Sequence, residues 1–183
     1  MDAGHYTIDP GMSRFTVRAF ASGVFSAFGH NPTIAIRDFS GEADFDPATL
    51  ENAALRVKIN AGSLAVTNDI SDKDRREIEQ TMSQEVLETT RYPEIVFESS
   101  NVSASRAGDG QYFINLVGNL SLHGVTNSQP VSAQVTVNGK MLRAHGEFSL
   151  RQTAYGIKLV SVAGGALKLK DDLKFTFEIV ARK

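Results

Sequence analysis

Leu173-Lys174-Phe175-Thr176-Phe177-Glu178-Ile179-Val180-Ala181 decides the fold. Leu173, Phe175, Phe177, Ile179 and Ala181 fall on one face, and Lys174, Thr176 and Glu178 on the other. A period of two is the geometry of a pleated strand with one apolar side and one wet side. The same alternation recurs along the chain, and many such strands predict closure into a sandwich or barrel. A barrel that is wide enough has an apolar pocket inside.

Working outward, Phe15, Val17 and Ala19 alternate with Arg14, Thr16 and Arg18, which gives a first strand from Arg14 to Phe20. A second spans about Thr33 to Phe45. Ile34 and Ile36 are out of phase there with Phe39, Gly41, Ala43 and Phe45, so a bulge is expected near Asp38. Further strands are read at Ala54–Asn60, Glu94–Ser99, Tyr112–Leu122, Val131–Val137, Met141–Leu150 and Leu173–Arg182. Asn138-Gly139 and Gly108-Asp109-Gly110 are hairpin signals. Ile157 to Leu169 is ambiguous. The one convincing helix lies in Ser71–Glu88, where Ile78, Met82 and Val86 make a narrow apolar stripe on a charged segment and Ser71 with Asp74 forms a weak capping box. The charged face of Asp72, Asp74, Glu77 and Glu79 reads as solvated.

The 183 residues suit one domain over 1–183, long enough to bury roughly 70% of the unfolded surface. Without cysteine, disulfides and thiolate metal sites are excluded. A net charge of -2 with interspersed signs shows neither a nucleic-acid footprint nor a polybasic patch, so no nucleic-acid partner is expected. No apolar run approaches the roughly 20 residues of a membrane span. Met1 to Tyr6 does not read as a signal peptide, so the chain as written is expected to be cytoplasmic, or already processed. Tryptophan is absent and eleven Phe supply the aromatic bulk, which suits the lining of a dry pocket.

Six motifs then occur in order: Tyr6-Thr7-Ile8-Asp9 with Ser13-Arg14-Phe15-Thr16-Val17, Phe39 to Asp46, Tyr92-Pro93-Glu94-Ile95-Val96-Phe97, Gly118-Asn119-Leu120-Ser121-Leu122-His123-Gly124, and Arg151-Gln152-Thr153-Ala154-Tyr155-Gly156. Their order and spacing resemble the YceI-like family of bacterial polyisoprenoid-binding proteins from Tyr6 to Ala181. The resemblance implies an all-β, extended, lipocalin-like antiparallel barrel of eight strands with one short helix, holding a long isoprenoid chain in its lumen. It also implies no catalysis, frequent homodimers, and a periplasmic location if this is a processed chain.

The expected ligand-binding set follows from alternation: Phe15 and Val17 on the first strand, Phe39 and Phe45 on the second, then Phe97, Phe148, Phe175 and Phe177. Phe25, Phe28 and His30 belong to a Gly- and Pro-broken segment at the expected mouth, where an imidazole can bond a head group or be held by backbone. Tyr155 joins the set with Arg151 and Asp171, which either anchor a phosphate or form an ion pair closing the barrel end. No cofactor is expected beyond a bound isoprenoid, and four scattered histidines at no ligand spacing give no metal site. Two other readings stay open. One is an enzyme acting on a lipid-like substrate, with His30 or Tyr155 as proton donor. The other is a stress-linked interaction scaffold with a filled barrel.

Overall fold

The computed structural model describes residues 4–22, 31–162 and 167–183. Its elements are β1 (His5–Ile8), β2 (Arg14–Ser22), β3 (Thr33–Ile36), β4 (Phe39–Asp44), β5 (Ala54–Asn60), β6 (Leu64–Val66), α1 (Asp72–Thr81), β7 (Glu94–Gly108), β8 (Gln111–Leu122), β9 (Val125–Asn138), β10 (Met141–Arg151), β11 (Ser161–Val162) and β12 (Leu167–Arg182). Three pairs of short strands act as single bent ones. β1 and β2 lie in succession along one edge of β12, β4 and β3 pair with them in turn, and β5 and β6 pair with β4 and β3. With β7, β8, β9, β10 and β12 they make a closed antiparallel barrel of eight strands. The pairing of Thr7 with Arg182 and Ile8 with Ala181 joins its last strand to its first.

The expected irregularity near Asp38 is the corner between β3 and β4. Asp38 holds it with backbone and side chain together: its carbonyl accepts from the Asn60 N–H, its carboxylate accepts from Asn60 Nδ2, and its own N–H donates to Ser63 Oγ. The change of phase seen in the sequence is therefore a real change of direction.

Other strands run past their sequence limits. β7 continues through the polar stretch before Asp109, and a tight turn with Gly110 at φ +64° leads into β8. β12 begins at Leu167 rather than Leu173, with its register shifting between Leu169 and Leu173, and β11 pairs with its first residues. β1 escaped the strand reading because its four residues carry only two inward apolar side chains, Tyr6 and Ile8. β9 tolerates Pro130 because β10 pairs with it only from Ser132 onward, so the missing N–H faces no strand.

The helix is shorter than its stripe. Ser71 Oγ accepts from the Asp74 N–H at 3.1 Å, as the capping signal implies. Regular α-helix ends at Thr81 and one π-helical turn follows, Met82–Val86. No residue of α1 is buried.

Candidate functional site

The inward faces do not meet. They enclose a cavity of about 530 Å³ that runs along the barrel, a size ordinary for a small-molecule site. Its wall is almost wholly hydrocarbon, contributed by alternate residues of every long strand: Ile114 and Leu116 from β8, Val131, Ala133 and Val135 from β9. Two glycines make room for the aromatics. A Cβ at Gly118 would overlap the Phe97 ring, and one at Gly146 would overlap the Phe177 ring and the Ser132 carbonyl. These seats for Phe97 and Phe177 carry no signal in alternation alone.

The sequence-expected residues divide. Phe15 and Val17 line the cavity from β2, Phe45 lines it at the far end, Phe97 and Phe148 line it from β7 and β10, and Phe175 and Phe177 from β12. Phe15, Phe148 and Phe175 form a tilted stack, with centroids 5.7 Å and 4.8 Å apart between neighbours. Phe39 stands apart from this lining: it packs edge-on against Phe15, ring centroids 4.6 Å apart, within the buried core. Tyr155 is not in the lining either: it is buried against Leu87, Leu120, Leu122 and Ile157, which themselves line the cavity, and burial pushes its phenol pKa up. Phe25, Phe28 and His30 lie outside the described residues.

The convergence foreseen for Arg151, Tyr155 and Asp171 holds for two of them. Arg151 Nε donates to Asp171 at 3.0 Å, and Thr153 adds bonds from its N–H and its hydroxyl to the same carboxylate. The Thr153 bonds, then Arg151, hold the Asp171 carboxyl below the usual range. This ties the turn after β10 to β12, while Tyr155 stands apart from that carboxylate, its phenol hydrogen-bonded with the Asn127 side chain and its carbonyl 3.0 Å from His123 Nδ1. His123 Nε2 lies 2.6 Å from the Glu88 carboxylate, and Tyr92 packs on the imidazole. Both ring nitrogens are therefore committed to structure. Among the described residues no cluster of His, Asp or Glu is arranged to hold a metal ion.

One wall differs from the rest. Beyond Asn60, β7 no longer runs beside the strand, and the outer edge of β6 faces α1. Side chains replace a neighbouring strand there. Glu79 Oε1 accepts from the Val66 N–H at 2.9 Å, while Arg75 donates to the carbonyls of Val66 at 2.6 Å and Asn68 at 3.1 Å. Glu79, read as part of a solvated face, is thus a backbone partner of a residue only 1% exposed. The stripe of Ile78, Met82 and Val86, with Thr81 and Leu87, closes this side of the cavity.

A YceI-like domain model matches residues 6–181. A UPF0312 protein of Pseudomonas syringae pv. tomato is 30% identical over 155 residues, covering 80% of this chain and 72% of that one. One from Azotobacter vinelandii is 33% identical over 104 residues, 57% of this chain but 49% of its own length. Among solved structures, BcnA of Burkholderia cenocepacia superposes with a TM-score of 0.71 at 20% identity, over 94% of this chain and 98% of that one. A polyisoprenoid-binding domain from Saccharophagus degradans gives 0.68 at 14% identity, over 97% of each. At such identities the structures establish the fold, and together with the domain match they place the chain: it belongs to the YceI-like family.

Proposed function

We propose that the protein binds a long apolar isoprenoid-type lipid in its barrel, for sequestration or transport. The observation that carries this is the cavity of about 530 Å³ with a hydrocarbon wall. The S. degradans neighbour, described as polyisoprenoid-binding, supports the ligand class by analogy. Each buried methylene contributes about 0.8 kcal/mol, so a chain of some twenty carbons brings roughly 16 kcal/mol before ordering costs, and tight binding needs no polar anchor.

A binding protein rather than an enzyme accounts best for the described cavity. Tyr155 stands outside it, and its other lining is nearly inert. A filled scaffold does not fit a barrel with a void this large. Native mass spectrometry of freshly purified protein, followed by organic extraction, tests the reading. A stoichiometric adduct that extracts as an isoprenoid is the expected result. A bare mass, together with failure of the delipidated protein to take up prenyl lipid, overturns it.

A further inference from the structure

Gln152 is the one polar side chain in the described cavity lining that is almost completely buried, at 2% exposure. It sits where β10 turns out of the barrel, and its Nε2 donates to the Lys170 carbonyl at 3.0 Å. That bond fixes the amide plane. The side-chain oxygen and the second N–H have no partner among the described residues, and the oxygen is not one of the fully enclosed, unpartnered atoms, of which the Tyr6 hydroxyl is the example. Gln152 therefore offers the lumen a rigid acceptor and a donor inside an otherwise apolar wall.

The other polar lining at this end is Thr81 and Glu77 of α1, with the Glu77 side chain 65% exposed at the rim. No Lys, Arg or His lines the cavity among the described residues, and the residues outside that set include His30 as their one basic side chain. Lys158, Lys168 and Lys170 are near this end but exposed. A phosphate drawn inside would meet a carboxylate and a neutral amide, which do not offset its desolvation. A hydroxyl satisfies Gln152 and is satisfied by it.

We infer that Gln152, with Thr81 beside the same opening, seats the uncharged hydroxyl end of an isoprenoid alcohol and selects it over the corresponding diphosphate. This rests on the isoprenoid-binding reading above.

The test is displacement of N-phenyl-1-naphthylamine fluorescence from the delipidated full chain by geranylgeraniol, geranylgeranyl diphosphate and the parent hydrocarbon. The alcohol is expected to compete at a concentration at least about tenfold lower than the diphosphate. Gln152→Met should weaken the alcohol by about 3- to 10-fold and leave the hydrocarbon unchanged. Thr81→Val, on a helix with no buried residue, should produce a smaller loss of the same sign and carries the test if Gln152→Met fails to fold. A diphosphate that competes as well as the alcohol, or a folded Gln152→Met with unaltered alcohol affinity, overturns the inference while lipid binding stands. If neither the naphthylamine nor any of the three loads, the isoprenoid reading itself falls and takes this one with it.

Discussion

The wall built from β7 to β10 and the seam between β6 and α1 close the same cavity by different means. β8 is paired on both sides over nearly its whole length, with β7 from Gln111 to Ser121 and with β9 from Gln111 to Leu122, so opening the barrel there breaks many backbone bonds together. At the seam two side chains, Arg75 and Glu79, make three hydrogen bonds, two to Val66 at the end of the three-residue β6 and one to the Asn68 carbonyl just beyond it. Backbone ladders are cooperative, whereas each side-chain bond contributes about 1 kcal/mol net. The lesson is that a closed barrel can hold a rigid apolar lumen and still keep one wall that is inexpensive to open.

The ladder side breaks most severely through its glycine seats. Gly146→Val, forced against the Ser132 carbonyl and the Phe177 ring, should cost about 3 kcal/mol or prevent folding. Thermal unfolding followed by circular dichroism reads this, and an unchanged melting temperature would contradict the seat. At the seam, Arg75→Ala with Glu79→Ala should cost about 2 kcal/mol, because the buried Val66 N–H loses its acceptor. Hydrogen exchange should quicken at Val66 and stay slow along β8, and release of bound lipid should accelerate. Uniform quickening through both walls would erase the distinction.

Much of this was legible in the sequence. Alternation from Leu173 to Ala181 describes the inward face of β12 residue by residue, and the phase change around Asp38 marks the corner between β3 and β4. The seam was not, because Arg75 and Glu79 belong to a run of charged residues that looks the same whether it meets water or a strand edge. Nor were the roles of Gln152 and the inward glycines, which depend on what the neighbouring strand places opposite them. Phe39 shows the converse: the right face of the right strand still packs behind Phe15 when a ring arrives edge-on. Alternation gives the side of the sheet, and cross-strand geometry gives the lining.

Two smaller effects sharpen the picture at the ends of the barrel. The Tyr6 hydroxyl is buried with no partner among the described residues, so Tyr6→Phe should raise stability by up to about 1 kcal/mol, a gain of some 2–4 °C in Tm. At the other end the Asp171 carboxyl titrates below its ordinary value of 3.8. Its contribution is therefore complete above that value and is lost as pH falls through it toward the lower folded one. The small difference in Tm between the protein and Asp171→Asn should be present at pH 7 and close on acidification below pH 4, whereas a difference that widens in acid would contradict the assignment.

The chain has no tryptophan, so one placed at Phe148 or at Phe113 reports alone. Phe148 lines the cavity, and Phe113 stands outward on β8 at 50% exposure. The most direct measurement is quenching of each indole by a brominated prenyl alcohol added to delipidated protein. The account predicts strong, saturable quenching at Phe148→Trp with one ligand per chain, and little at Phe113→Trp. Equal quenching at both positions, or none at Phe148→Trp, would contradict a lipid held within the barrel.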